Sequence, residues 1–281
     1  MLENHKDLEK YTVLFQVGDG QYGNVYKALD RKTGFLVAIK AIDKRGKSVD
    51  ELRTFYSEIK LLDSFRHPNI VQLIKYLETK DFIYIITEFC NCDLLDYVIK
   101  KDEYLKAEEV RTIALQLISG LMVIHYKGVI HHDLKSRNIL LGSDGKIKIC
   151  DFGLSIPLKN NNEETYVDKL KGTPPYMAPE LFSKKSYSYK IDFWSLGVIL
   201  YEIFVGKLPF DGDSAEKIRK KILENEVVWP KVIPTQLKDF LNKLLQKNQN
   251  DRMSWEELVN HPFLFSEETE EEMLLRESEY Q

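Results

Sequence analysis

The sequence predicts an α+β protein in two lobes, a strand-rich first part and a larger, mostly helical second part. Three observations carry that expectation. Up to Phe89 the chain is dominated by β-prone runs, residues 11–17, 24–29, 35–40 and 82–89, with one helical stretch among them. From Ala107 onward apolar residues recur at helical spacing. The length, 281 residues, suits two domains or one bilobal unit at roughly 150 residues per domain.

Residues 11–17 lead into Gly18-Asp19-Gly20-Gln21-Tyr22-Gly23. That glycine spacing alone fits a dinucleotide-binding turn as well as a flap over phosphates. The dinucleotide turn opens a helix after its third glycine, whereas here the strand formers Asn24-Val25-Tyr26-Lys27-Ala28-Leu29 follow. Strand, turn and strand predict a flap whose glycines let the backbone approach a phosphate. Thr33-Gly34 makes the next turn, and Phe35-Leu36-Val37-Ala38-Ile39-Lys40 the next strand, ending on a lysine. Ser48-Val49-Asp50-Glu51 is a capping-box start. Leu52, Phe55, Ile59 and Leu62 then mark one helical face, which Glu58 borders. An acid against a buried face needs a partner, and Lys40 is the candidate. His67-Pro68 closes this region.

In the second part, Val110, Ile113, Ala114, Leu117, Leu121 and Ile124 form a helical stripe over residues 107–126, stopped by Gly128. His125 beside that stripe is expected to be packed and hydrogen-bonded. The helix delivers the chain to His131-His132-Asp133-Leu134-Lys135-Ser136-Arg137-Asn138. Two short β-prone runs follow, 139–141 and 147–149, around the turn Ser143-Asp144-Gly145-Lys146, and then Cys150-Asp151-Phe152-Gly153. A hairpin there returns the chain to its start, so that Asp133, Asn138 and Asp151 are expected to converge. An Asp that accepts a hydroxyl proton, with an Asn and an Asp for Mg²⁺, is what phosphoryl transfer requires. Asp192-Phe193-Trp194-Ser195-Leu196-Gly197 opens a helix apolar nearly all round through Val205, hence central and buried.

These stretches together resemble the eukaryotic protein kinases, over residues 11–265. The segments 44–62 and 228–263 resemble the Fused-type Ser/Thr kinases, near the autophagy-initiating kinases, more than a generic member. The resemblance implies a bilobal kinase fold: extension 1–10, N-lobe 11–89 with a small antiparallel sheet and one main helix, helical C-lobe 90–265, and acidic tail 266–281. It implies protein Ser/Thr kinase activity with ATP and Mg²⁺. Asp133 is then the base, Lys135 neutralises the transferred phosphoryl group, Lys40 holds the α- and β-phosphates and Glu58 pairs with Lys40. Asn138 and Asp151 hold Mg²⁺. The nucleotide site comprises Val17, Gly18, Gly20, Gly23, Val25, Ala38, Lys40, Thr87 as gatekeeper, Glu88 and Cys90 of the hinge, Asp93 toward the ribose, and Leu140.

The pattern Gly172-Thr173-Pro174-Pro175-Tyr176-Met177-Ala178-Pro179-Glu180 resembles the family's peptide platform. By resemblance Thr173 bonds Asp133 and Lys135, Glu180 pairs with Arg252, Asp192 anchors the catalytic loop and Phe152 packs under the Glu58 helix. Two departures carry expectations. His132 stands where the family has an Arg that pairs with an activation-loop phosphate, so activation is expected to depend less on that phosphate. Arg137 stands where basophilic kinases carry Glu, so substrates with upstream arginine are disfavoured.

Composition excludes several classes. A net charge of −4 gives no nucleic-acid footprint. Three cysteines give no disulfide framework and fit a reducing, cytoplasmic setting. No secretory h-region opens the chain, and no apolar run is long enough to span a bilayer. The partners expected are protein substrates and a regulatory partner at the C-terminal region, whose residues 266–281 hold seven Glu and one Arg. Lys40, Glu58, Asp133, Asn138 and Asp151 are all present, which gives a silent kinase-like scaffold little support; only His132 leans that way. A small-molecule kinase would need no platform at 172–180.

Overall fold

Five strands build one antiparallel sheet: β1 (Tyr11–Gly20), β2 (Gly23–Asp30), β3 (Leu36–Asp43), β4 (Leu73–Glu78) and β5 (Phe82–Glu88), in the order β1-β2-β3-β5-β4. The computed structural model describes residues 8–20, 23–101, 105–158, 171–183 and 186–265. Cross-strand partners share a face, so register sorts the side chains. Ala28 opposite Val37, Tyr26 opposite Ile39, and Ala41 opposite Tyr84 lie on one face. They form an apolar cluster with Leu8, Tyr11, Leu77 and Ile86. The other face carries Val25 opposite Lys40 and Ala38 opposite Thr87. The alternation that buries the first set therefore puts the chemistry-bearing set on the opposite face, together with the buried Ile42, Ile83 and Ile85.

Helix α1 (Val49–Ser64) starts at the expected capping box: the Glu51 amide donates to Ser48 Oγ (3.2 Å) and the Ser48 amide to Glu51 Oε2 (2.7 Å). Its buried face is Phe55, Glu58, Ile59 and Leu62. Leu52 is only half-buried, and Glu58 sits inside the face rather than at its border.

Then follow β6 (Cys90–Asp93), α2 (Leu94–Lys101), α3 (Ala107–Tyr126), β7 (Val129–Ile130), β8 (Ile139–Gly142), β9 (Ile147–Ile149) and β10 (Ile156–Pro157). Helices α4 (Pro179–Phe182), α5 (Lys190–Val205), α6 (Ala215–Glu224), α7 (Thr235–Leu244) and α8 (Trp255–Val259) complete the chain. Two compact units result: residues 1–92 with 140–153, and residues 93–139 with 154–281. The boundary expected at 89/90 moves to 92/93, and the β8–β9 hairpin joins the first unit. The cause is hydrogen bonding. The Ile149 amide donates to the Asn69 carbonyl, the Val71 amide to the Ile149 carbonyl, and Asn69 Nδ2 to the Ile147 carbonyl, each at 2.9 Å.

The second unit is centred on α5, buried at every position from Ile191 to Ile203. Gly206 ends it with φ +77°. Arg252 makes a two-pronged pair with Glu180, Nη1–Oε1 2.8 Å and Nη2–Oε2 3.0 Å, with both side chains buried. Among the described residues no helix is long and apolar enough to cross a membrane.

Candidate active site

In the first unit, Lys40 Nζ donates to Glu58 Oε1 at 3.1 Å and Oε2 at 3.4 Å. Strand β3 presents the lysine on the face opposite the Val37–Ile39 cluster, and α1 brings the acid to it. Burial works against the lysine's charge, but the Glu58 and Asp151 carboxylates outweigh it and hold the ammonium above its usual range. Burial also pushes the Glu58 carboxyl up, against the pull of Lys40. Two acids thus share one cation. Asp151 has φ +63°, and its Oδ1 accepts a long 3.3 Å bond from the Gly153 amide. Phe152 is buried and its ring packs 5.1 Å from Phe65 at the end of α1. Burial pushes the Cys150 thiol well up, which fits an inert neighbour rather than a nucleophile.

The glycines of the flap differ in what they permit. A Cβ on Gly23, at φ +153°, would lie 2.2 Å from the Ala41 carbonyl oxygen. That position must be glycine for β2 to pair beside Lys40. At Gly18 a Cβ would meet nothing within 4 Å. Val17 falls at a register shift between Gln16 and Gly18, and Gly20 pairs with Gly23 across the turn. Val25, Ala38 and Thr87 share the face of Lys40. Leu140 is half-buried on β8. The Glu88 side chain takes the Gln72 amide (2.8 Å) and Lys148 Nζ (3.0 Å), and its own amide donates to the Gln72 carbonyl at 3.1 Å. Cys90 lies beside it, its thiol pushed up to about 12 mainly by burial.

In the second unit, Asp133 is nearly buried and surrounded by donors. Oδ1 accepts from Thr173 Oγ1 (2.8 Å) and the Thr173 amide (3.0 Å). Oδ2 accepts from Lys135 Nζ (2.7 Å), which also donates to Thr173 Oγ1 (2.9 Å). Asn138 Nδ2 donates to the Asp133 carbonyl (2.9 Å) and to Oδ2 (3.3 Å). The loop backbone hangs on Asp192 of α5, whose carboxylate accepts the His131 and His132 amides at 2.8 and 3.0 Å and bonds His125 Nε2 at 2.8 Å. His132 adopts φ +72°. With Asp151 it is one of two described non-glycine residues at positive φ, and such strain gathers at functional sites. Among the described residues His132 Nδ1 is buried without a partner, and burial pushes the imidazole below its usual range.

Asp93 has both oxygens engaged: one caps α2 through the Asp96 amide (2.8 Å), the other takes Arg137 Nη1 (2.8 Å). Arg137 also reaches Asp96 at 3.0 Å, so it does not simply face solvent. Thr165 and Tyr166, on the expected activation loop, lie outside the described residues, as does the tail 266–281.

Asn138 in the second unit and Asp151 in the first each carry an oxygen of the kind that a hard divalent cation takes. Asn138 spends its Nδ2, not its oxygen, on Asp133, and Asp151 takes the Gly153 amide within its own unit. Among the described residues no three His, Cys, Asp or Glu side chains gather into a cage. Mg²⁺ suits such a sparse set, since it commonly takes one or two protein oxygens and completes its shell with waters and substrate phosphates.

Sequence reasoning missed two supports. Glu202 Oε2 holds Ser136 Oγ and the Tyr176 hydroxyl (2.7 Å for the tyrosine), tying the catalytic loop and the 174–176 turn to α5. The signal was there: a lone acid in an otherwise apolar helix must have partners. Lys148, buried between Glu88 and the Pro68 carbonyl, gave no such signal.

The family described as protein kinase domain matches residues 11–264. The serine/threonine-protein kinase 36 of Pongo abelii is 39% identical over 92% of this chain and 19% of its own length. The serine/threonine-protein kinase TIO of Arabidopsis thaliana is 37% identical over 96% of the chain and 20% of its length. The serine/threonine-protein kinase fused of Drosophila melanogaster is 36% identical over 92% and 32%. The chain thus spans a fifth to a third of these relatives. With a paired Lys40–Glu58, a donor-ringed Asp133 and a family match across nearly its whole length, the chain belongs to the protein kinase domain family.

Proposed function

We propose that the protein transfers the γ-phosphoryl group of ATP to serine and threonine hydroxyls of protein substrates. The observation that supports this best is the Asp133 carboxylate held by Lys135, Thr173 and Asn138. A carboxylate offers about four lone-pair sites and four donors already occupy those of Asp133, so the acceptor hydroxyl takes the place of the longest of them, the 3.3 Å bond from Asn138 Nδ2. The hydroxyl oxygen attacks the γ-phosphorus, the bond to the ADP oxygen breaks, and the hydroxyl proton passes to Asp133. Lys135 offsets charge on the transferred group, and Lys40, fixed by Glu58, binds the α- and β-phosphates. Asn138 and Asp151 hold Mg²⁺, which when bound neutralises phosphate charge. Gly18, Gly20 and Gly23 cover the phosphates. Val17, Val25, Ala38, Thr87, Glu88, Cys90 and Leu140 line the base, and Asp93 reaches the ribose only by sharing oxygens already in use.

The preference is for peptides without upstream arginine. Asp93 and Asp96 are occupied by Arg137, which a peptide arginine would have to displace. Incubation with Mg·ATP and a randomised peptide library is expected to label Ser and Thr but not Tyr, without enrichment of upstream Arg. Labelled tyrosine, or a library dominated by upstream Arg, would overturn the assignment.

Activation depends less on loop phosphorylation than in kinases with an arginine at this position, because His132, its imidazole pushed down by burial, offers no guanidinium to a phosphate. Thr165→Ala with Tyr166→Phe is expected to keep activity, and an inactive double variant refutes this. A cytoplasmic setting and a regulatory partner at the C-terminal region complete the proposal.

A further inference from the structure

Strand register lines up one row of residues across the sheet of the first unit: Phe15 opposite Lys27, Lys27 opposite Ala38, and Ala38 opposite Thr87. It is the row beside Val25 and Lys40, on the face opposite the apolar cluster. Phe89 stands just past it, between the end of β5 at Glu88 and the start of β6 at Cys90. The Lys27 ammonium lies over the Phe89 ring, 4.4 Å from its centroid, and over the Phe15 ring at 5.5 Å. Both separations fall within the roughly 6 Å at which the negative face of an aromatic ring holds a cation. Phe15 is 57% exposed, whereas Lys27 and Phe89 are half-buried. The shorter contact is thus also the less solvated and the stronger of the two.

This contact joins two segments that no strand ladder joins. In the sheet order β3 separates β2 from β5, so the lysine bridges β2 to the connection that leaves β5. On the reading given above, that connection offers its main chain at Glu88 and Cys90 to the base of the nucleotide, while β2 continues from the flap at Gly23. A ligand that binds a segment not yet in place must supply the free energy of ordering it, and the affinity falls accordingly. A ring already seated on β2 removes that requirement. We infer that Lys27 is a positioning residue of the nucleotide site: seated on the Phe89 ring, it holds residues 88–90 against β2 in the conformation that receives the base. This rests on the reading of this face as the nucleotide site.

Equilibrium binding of Mg·ATP and of adenosine to the whole 281-residue chain tests it. Lys27→Met keeps the stem and removes the charge, and is expected to weaken both ligands about fivefold, the scale of one such contact. Lys27→Arg, which restores a cation over the ring, should bind like the parent. Phe89→Leu should match Lys27→Met, and the two together should lose no more than either alone, because one contact is shared. A Lys27→Met variant of parental affinity would overturn the inference, as would losses that multiply in the double variant. A loss seen with ATP but not with adenosine would also overturn it, since Lys27 would then be touching phosphate. The comparison of Lys27→Met with Lys27→Arg decides the matter even if the Phe89 variants misfold. A parent that binds neither ligand would instead refute the reading of the face, and the positioning role with it.

Discussion

Arg252→Met isolates the interaction on which the second unit most depends. Arg252 is 1% exposed, and its guanidinium donates to both Glu180 oxygens, to the Lys190 carbonyl (2.8 Å) and to the Gln246 carbonyl (3.0 and 3.1 Å). Methionine keeps the stem's packing but leaves Glu180, 5% exposed, as an uncompensated charge. Breaking a buried pair from one side costs about 3–5 kcal/mol, a large share of a total of roughly 5–15 kcal/mol. The Arg252 guanidinium lies 5.3 Å from the Trp194 ring, and all three tryptophans, Trp194, Trp229 and Trp255, belong to the second unit. Urea denaturation followed by tryptophan fluorescence therefore reports this unit. The midpoint should fall with the slope unchanged. Adding Glu180→Met removes the stranded charge and should recover part of the loss. A single variant within about 1 kcal/mol of the parent would refute the assignment of this pair as a structural anchor.

Gly23→Ala should lower stability by about 1–3 kcal/mol, from steric conflict with the Ala41 carbonyl and strained φ, while Gly18→Ala stays near the parent; thermal melts compare them. The pH response tests His132. A base whose folded pKa is depressed stays unprotonated while the unfolded chain takes a proton, so stability falls as pH drops below the ordinary value of about 6.5. His132→Asn, tolerant of positive φ, should lose less stability than the parent between about pH 7.5 and about pH 5.5 in denaturant titrations. An unchanged difference would mean that His132 is not held neutral. His67 and His261, also depressed mainly by burial, add to the slope in the same direction.

Much of this was legible because it is local. The capping box at Ser48, the stripe on α3 and the turn at 143–146 are set by neighbours in sequence, and each folds as read. Lys40 and Glu58 were paired from a different logic: a charge on a buried face demands a partner. Lys148 shows the limit. In Ile147-Lys148-Ile149 it reads as the polar side of a strand, and only the packing of residues 67–71 against β9 buries it beside Glu88. Arg137 was equally opaque, since the acids that hold it lie more than forty residues earlier in the chain. The unit boundary moved for the same reason: hairpin β8–β9 follows the catalytic loop in sequence but bonds to residues 69–71 in space.

The most direct test of the central claim separates binding from transfer at Asp133. In Asp133→Ala the phosphorylation rate at saturating Mg·ATP should fall by about 10²–10⁴, the range expected for loss of a positioned base. Nucleotide affinity, measured by equilibrium binding, should stay close to that of the parent. A variant that binds nucleotide normally and phosphorylates at the parental rate would contradict the role given to Asp133, and with it the mechanism.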